Sequence, residues 1–208
     1  MMKAIIFDCD GTLVDSEVLG NEVFVEAIAE HGVTMPVSEA LAAFRGRKLA
    51  ECIREVEERW GCVLPPDFIP QFRARQAAAF RLRLRAVDGA LELVSSLRQK
   101  FCVASSGPRE KIELSLSLTG LLPYFESAIF SSYEIDSWKP APEIFLHAAR
   151  TMGVAPSSCV VIEDSLPGLQ AGVAAGMEVV AFQPDVIDFE IPNGVTVIKH
   201  LSQLKSRL

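Results

Sequence analysis

The chain has 208 residues, of which 50% are hydrophobic and 23% are charged, and its formal net charge is −7. A chain of this length can bury a full hydrophobic core and carry a small second domain. The acidic balance argues against a nucleic acid or an anionic membrane as partner, and no apolar run approaches the ~20 residues of a transmembrane helix. The start shows no signal-peptide pattern. The five cysteines form no CxxC pair, which favours free thiols in a cytoplasmic protein.

The first predicted element is a short buried strand from Lys3 to Phe7. Asp8 and Asp10 follow it at a spacing of two, which leaves both carboxylates on the same side of an extended chain. Carboxylates this close repel each other unless a cation or a proton lies between them. The alternative interpretation is an ordinary acidic turn, because Asp-Gly is common turn chemistry.

The segment that follows is predicted to be all-helical, with no strand before residue 87. The apolar spacing predicts helices over Glu17–His31, Leu49–Trp60 and Asp67–Ala86. A basic loop of sequence Arg-Gly-Arg-Lys, residues 45–48, precedes the second of these helices. The last helix is rich in arginine, and most of these arginines are expected to be solvated.

Strands and helices alternate in the rest of the chain. Five further strands are predicted, over Phe101–Ser105, Ala128–Ser131, Cys159–Ile162, Glu178–Phe182 and Val195–Ile198. Such alternation is typical of a parallel sheet that is covered by helices on both faces. The sequence therefore predicts an α/β fold with a Rossmann-like, three-layer core and a small all-helical insertion after the first strand.

Three groups of polar residues lie at or after the ends of these strands. They are Ser105 and Ser106, then Lys139, and then Glu163 with Asp164. Each group alone has an ordinary interpretation, as a helix cap, a surface lysine or an acidic turn. In an open α/β sheet, however, the carboxyl ends of the strands converge on one crevice. We therefore expect these groups to share a site with the two aspartates of the first strand.

The segment Asp8-Cys9-Asp10-Gly11-Thr12 resembles the DxDGT motif of the haloacid dehalogenase-like (HAD) hydrolases, and the three later groups resemble the other motifs of that family in their order. The resemblance implies that Asp8 is the nucleophile and that Asp10 is the general acid and base. It also implies two sets of binding residues: Ser105, Ser106 and Lys139 for phosphate, and Asp8, Asp10 through its backbone carbonyl, Glu163 and Asp164 for Mg²⁺.

The helical insertion resembles the small C1 cap of the same family. This resemblance divides the chain into a core of residues 1–15 and 87–208 and a cap of residues 16–86, with hinges at residues 14–16 and 87–89. The basic loop formed by Arg45, Gly46, Arg47 and Lys48 is then the candidate specificity loop. A solvated basic turn is the alternative interpretation.

The implied activity is hydrolysis of a small phosphorylated metabolite through an aspartyl phosphate. Segments around the basic loop, the serines and the C-terminal tail resemble the 6-phosphogluconate phosphatase branch of the family. Three alternatives stay open. A β-type phosphomutase would carry a histidine in the hinge, which residues 17–21 lack. A phosphonatase would use a cap lysine, and Lys48 is one position away from the expected place. An idle relative would bind a phosphometabolite without turnover. The oligomeric state is left open.

Overall fold

The structure is a computed structural model that describes residues 3–125, 127–183 and 189–206. Within these ranges six strands form one fully parallel sheet in the order β3-β2-β1-β4-β5-β6. The strands are β1 (Ala4–Phe7), β2 (Phe101–Ser105), β3 (Ile129–Ser131), β4 (Cys159–Glu163), β5 (Glu178–Phe182) and β6 (Thr196–Ile198). The first strand therefore lies inside the sheet, between β2 and β4.

The two faces of the sheet carry separate apolar layers, because alternate residues of a strand point to opposite sides. Ile5 and Phe7 belong to one buried cluster, with Leu93 and Ile112 from two helices of the core. Ala4 and Ile6 belong to the other cluster, which includes residues of two further helices. This arrangement confirms the predicted α/β, Rossmann-like core with helices on both faces of a parallel sheet.

The helices of the core follow the strands in alternation. They are α5 (Ala90–Ser96), α6 (Arg109–Leu118), α7 (Leu122–Phe125), α8 (Ser132–Ile135), α9 (Glu143–Met152) and α10 (Leu166–Ala174). Short 3₁₀ segments lie at Pro156–Ser158 and Leu201–Ser206. Helix α10 begins with the Ser165 hydroxyl accepting a hydrogen bond from the Gly168 amide, and this cap fixes the backbone directly after the acidic pair at the end of β4.

Four helices lie between β1 and α5, and they share an apolar core of their own. They are α1 (Glu17–Ala29), α2 (Val37–Phe44), α3 (Leu49–Trp60) and α4 (Phe68–Arg83). Phe24 of α1 is at the centre of this core, where its ring meets Phe44 and Phe72 edge-on at 5.5 Å between centroids. An aromatic core of this kind stabilises a helical unit that contains no strand of the sheet.

The two connections between this helical unit and the sheet run side by side. Val14 pairs with Ala86 in an isolated antiparallel bridge, and the Asp15 amide donates to the Arg85 carbonyl at 2.9 Å. Helix α4 therefore ends at Arg83, before the predicted Ala86, because residues 85 and 86 are extended to pair with the first connection.

The division into a core of residues 1–15 and 87–208 and a cap of residues 16–86 stays a prediction. Residues 1–2, 126, 184–188 and 207–208 of that core lie outside the described residues. None of the described helices has the length and apolar character that a membrane span requires.

Candidate active site

Asp8 lies immediately after β1, at the carboxyl edge of the sheet, and it is buried. Its backbone amide donates to the Ile162 carbonyl at 2.9 Å, which continues the pairing of β1 with β4 for one more residue. Lys139 extends its Nζ between two carboxylates, donating to Asp8 Oδ1 at 2.5 Å and to Glu163 Oε1 at 2.7 Å. The side chains of Lys139 and Glu163 are each 1% exposed, so this cation is nearly sealed from solvent. The structure thus brings together three residues that are distant in sequence and that the motifs predict to be neighbours.

Asp10 faces a different pair of donors. Ser16 Oγ donates to Asp10 Oδ1 at 2.6 Å, and Lys111 Nζ donates to Asp10 Oδ2 at 2.7 Å. Lys111 lies in the first turns of α6 and Ser16 just before α1, and the sequence did not identify either of them as a site residue. A lysine within a helix carries no motif signal; only its position after the Ser-Ser-Gly-Pro turn could have pointed to it.

Asp8, Glu163 and Asp164 each offer a carboxylate oxygen within 4.8 Å of the others, and all three residues are buried. Asp164 Oδ2 is a buried acceptor that receives no hydrogen bond. Such an orphaned carboxylate oxygen beside two further carboxylates suits a hard divalent cation such as Mg²⁺. The two oxygens of Glu163 are already engaged, Oε1 by Lys139 and Oε2 by the backbone and hydroxyl of Ser165. Free acceptor capacity is therefore greatest at Asp164.

Gly11 allows the acidic pair to approach the first motif closely. Its φ is +73°, and a Cβ at this position would lie 2.2 Å from Asp164 Oδ2. Any other residue would be strained by the backbone and would displace that carboxylate. The glycine of the DxDGT motif is thus required by the close packing of two motifs rather than by turn geometry alone.

The two serines at the end of β2 have different environments. Ser105 is buried, and its Oγ accepts a hydrogen bond from the Gly107 amide at 3.1 Å. The Ser106 hydroxyl is buried and has no partner, whereas the Ser106 carbonyl accepts from the Trp138 indole at 3.3 Å. Both serines line the same cavity as Lys139. An unpartnered hydroxyl in the same cavity as a buried lysine is suited to an anionic oxygen.

The two catalytic candidates have opposite electrostatic environments. Burial raises the pKa of Asp8 to about 8, although Lys139 opposes the change. Burial also acts to raise the pKa of Asp10, but the charge and hydrogen bond of Lys111 and the hydroxyl of Ser16 outweigh it, and the pKa is lowered. The ion pair with Lys111 thus favours the ionised form of Asp10.

A fifth carboxylate, Glu17, belongs to this region although the sequence indicated only a helix start. Burial, followed by the nearby charge of Asp10, raises the pKa of Glu17 to about 7. Glu17 Oε2 lies 3.9 Å from Arg45 Nε, and the same Nε lies 3.5 Å from Asp164 Oδ2. An arginine from the helical unit thus reaches the acidic pair of the sheet.

The residues of the basic loop are directed to different places. Arg47 donates to Glu55 at 2.7 Å and to the Ala43 carbonyl at 3.0 Å, both within the helical unit. Lys48 places its Nζ 3.3 Å from the centroid of the Trp138 ring. Gly46 and Arg47 line the cavity, whereas Arg45 and Lys48 are outside its lining. The loop is therefore not a single basic surface that faces the cavity.

The cavity lies between the helical unit and the carboxyl edge of the sheet and has a volume of about 540 Å³. Asp8, Asp10 and Lys139 line one part of it, and α1 and α4 line another. Arg73 and Arg81 of α4 also belong to the lining. Arg81 is exposed, as expected for most of these arginines, whereas Arg73 is partly buried. The sequence alone does not separate these two arginines from Arg75 and Arg83 of the same helix. In the structure Arg75 and Arg83 form ion pairs elsewhere.

The structure combines a parallel sheet, a site of carboxylates and a lysine at its carboxyl edge, and a helical insertion above that edge. Comparison with known proteins identifies the class of hydrolase that has this arrangement. A model of the haloacid dehalogenase-like hydrolase family matches residues 2–176. The protein belongs to this family.

Individual relatives agree with this assignment. The chain is 40% identical to the 6-phosphogluconate phosphatase of Escherichia coli (strain K12) over 205 residues, which cover 98% of this chain and 93% of that protein. A haloacid dehalogenase-like protein of unknown function from Agrobacterium tumefaciens superposes with a TM-score of 0.82 at 30% identity, over 100% and 97% of the two chains. A HAD family hydrolase from Deinococcus radiodurans, solved with bound phosphate and sodium, gives a TM-score of 0.74 at 28% identity over 99% and 94%. The predicted enzyme class, a phosphoric monoester hydrolase, is confirmed by the family and its phosphatase relative.

Proposed function

We propose that this protein is a Mg²⁺-dependent phosphatase that hydrolyses 6-phosphogluconate or a closely related phosphorylated sugar acid through an aspartyl phosphate on Asp8. One observation carries the proposal: Lys139 holds Asp8 at the carboxyl edge of the sheet, next to the buried acceptor of Asp164. The 40% identity to a 6-phosphogluconate phosphatase supports the substrate.

The first step would transfer the phosphoryl group to Asp8. Asp8 must be ionised for this step, which Lys139 and a bound cation would favour against the effect of burial. Its carboxylate oxygen attacks phosphorus, and the bond from phosphorus to the ester oxygen breaks. Lys139, Ser105 and Ser106 would bind the phosphoryl oxygens and orient them. Mg²⁺, held by Asp8 and Asp164 with help from Glu163 and the Asp10 backbone carbonyl, would neutralise charge that builds up as one anion approaches another.

Asp10 would move the protons of both steps. In the first it protonates the departing alkoxide, and in the second it takes a proton from the water that attacks phosphorus and restores the Asp8 carboxylate. Lys111 and Ser16 each bond one oxygen of Asp10, so the carboxylate has a fixed orientation. A phosphate dianion bound next to Asp10 would oppose the effect of Lys111 and raise the Asp10 pKa, which favours the protonated form that the first step needs.

The alternative chemistries have less support. A phosphonatase needs a cap lysine that reaches the substrate, but Lys48 contacts the Trp138 ring outside the cavity lining. A phosphomutase of the β type would have a histidine in the hinge, and residues 17–21 contain none. An idle binding protein would be expected to have lost a motif acid, and every one is retained in this sequence.

We further propose that residues 16–86 are a cap that closes over the site and excludes water during phosphoryl transfer. Gly46 against Ser165, Lys48 against Trp138 and Arg45 against Asp164 are contacts that support this. A cytoplasmic location stays part of the proposal, supported by five free cysteines, four of them buried.

The experiment is phosphate release from a panel of phosphate esters, with and without Mg²⁺, for the wild type and for Asp8→Asn. We expect 6-phosphogluconate to be among the best substrates, Mg²⁺ to be required, and the variant to lose activity while it keeps its fold. Intact-protein mass spectrometry of an acid-quenched reaction should find a phosphate adduct on the wild type alone. A correctly folded protein that releases phosphate from no ester would refute the proposal and favour a binding role.

A further inference from the structure

The helix α4 presents a polar face to the cavity that the four motifs do not explain. Arg73, Gln76 and Arg81 lie on this face at spacings of three and five residues, and all three line the cavity. We call these three residues the α4 polar face. Because an α-helix rises 1.5 Å per residue, the two arginines are about 12 Å apart along the axis, which is enough to follow an extended six-carbon substrate.

Two contacts place this side of α4 beside helices α8 and α6 of the core. Arg73 donates to the Tyr133 hydroxyl at 2.9 Å, and its guanidinium lies 5.2 Å from the Tyr133 ring centroid. Phe80, on the same side of α4, lies 5.9 Å from the Nζ of Lys111, the residue that bonds Asp10. The Arg81 end of the face is therefore next in sequence to a residue that lies near the lysine bonded to Asp10.

The arginines on the α4 polar face differ from the other arginines of α4 in their partners. Arg81 forms no ion pair or hydrogen bond with any of the described residues, and Arg73 is bound to a neutral phenol. By contrast, Arg75 pairs with Glu30 and Arg83 pairs with Glu22 on the outside of the same helix. The arginines that face the cavity are thus the ones on α4 left without a carboxylate partner.

We propose that the α4 polar face binds the end of the substrate that is not phosphorylated and selects a carboxylate there. This inference rests on the proposed phosphatase function. Guanidinium groups bind carboxylates through charge-assisted and often bidentate hydrogen bonds, and Gln76 adds an amide for the hydroxyls between the two ends. The selecting residues are then on α4 instead of the basic loop, where Arg47 is neutralised by Glu55 and Arg45 is directed at Asp164.

The test compares two substrates that differ only at the far end: 6-phosphogluconate, with a carboxylate, and glucitol 6-phosphate, with a neutral alcohol. The kcat/KM ratio for these two esters is measured for the wild type, Arg73→Gln and Arg81→Gln. Arg75→Gln and Arg83→Gln are matched controls on the outside of the same helix. We expect each cavity variant to lower the ratio about 10- to 100-fold, the range for a lost hydrogen bond to a charged group, with KM changing more than kcat.

The outcomes separate the two proposals. Arg81→Lys should recover most of the preference, because it restores the charge. If the wild type is active but neither cavity variant changes the ratio, the role of α4 is wrong and the phosphatase function stands. Equal losses in the cavity variants and the controls would show a structural effect on the helix and would also overturn the inference. A wild type that is inactive on both esters would refute the proposed function and this inference with it.

Discussion

Gly46→Ala tests whether the helical unit must sit on the acidic pair for catalysis. Gly46 has a φ of +73°, and an added Cβ would lie 2.4 Å from Ser165 Oγ and 2.6 Å from Ser165 Cβ. Ordinary contact begins near 3.4 Å, so the methyl group would be about 1 Å too close to the residue that follows Asp164. Because Ser165 caps α10, we expect the loop to relieve this overlap by lifting away from the site.

The expected free-energy cost of Gly46→Ala has two parts. An alanine held in a left-handed conformation costs about 1–2 kcal/mol, and overpacking of a close contact costs a further ~1–3 kcal/mol. The first part acts on the folding of the loop itself. The second acts only when the loop is on the sheet, so it shifts the population toward the open form by about 5- to 150-fold. We expect kcat/KM for the best ester to fall by a similar factor.

Gly61→Ala is the matched control, because Gly61 also has a positive φ, +62°, at the end of α3, and nothing lies within 4 Å of its added Cβ. Both variants should lose similar stability in urea unfolding, while only Gly46→Ala should lose activity. The reasoning is refuted if the two variants have the same kcat/KM, since the contact with Ser165 would then have no catalytic consequence.

Two further predictions concern the charges of the site. Lys139→Met leaves the buried carboxylates of Asp8 and Glu163 without their shared cation; we expect loss of phosphatase activity and a decrease of about 3 kcal/mol in the free energy of unfolding, measured in urea. Arg45→Ala removes a positive charge 3.5 Å from Asp164 Oδ2. We expect Mn²⁺, as a probe of the Mg²⁺ site, to bind about five-fold more tightly in calorimetry. The reason is that roughly 1 kcal/mol of repulsion between the arginine and the metal ion is removed, a small value because solvent partly screens this side chain.

The prediction for Arg45→Ala has a matched control, and both predictions have an outcome that would contradict them. Arg47→Ala lies in the same loop but pairs with Glu55, so its Mn²⁺ affinity should equal that of the wild type. Weaker Mn²⁺ binding by Arg45→Ala would mean that the arginine positions Asp164 instead of competing for it. For Lys139→Met, retention of both activity and stability would contradict the central place of this lysine.

The sheet and its acidic edge could be predicted because their signals are local. A buried strand in a parallel sheet is a continuous apolar run, and each run ends at the residue where its motif begins, as at Asp8 and Glu163. The order of the motifs then brings their side chains to one edge of the sheet, since all six strands are parallel. Neither inference needs the tertiary packing of the helices.

The contributions of helices to the site could not be predicted in this way. Lys111 and Arg81 are charged residues on amphipathic helices, where the sequence pattern is the same whether a side chain faces solvent or a cavity. Arg45 and Lys48 were grouped by sequence as one basic loop, but a left-handed glycine between them turns the chain, so they contact Asp164 and Trp138 respectively. The direction of each side chain depends on how the helical unit sits on the sheet, and no short segment encodes that.

The paired connections at Val14 and Ala86 have a consequence for how such an enzyme can be built. Because the Asp15 amide is 2.9 Å from the Arg85 carbonyl, the chain leaves the sheet and returns to it at the same point. A tight turn of two to four residues is long enough to close that gap. We expect residues 17–83 to be exchangeable as a module, so that the same phosphoryl-transfer machinery could acquire a different selectivity by recombination without any change in the strand order beneath it.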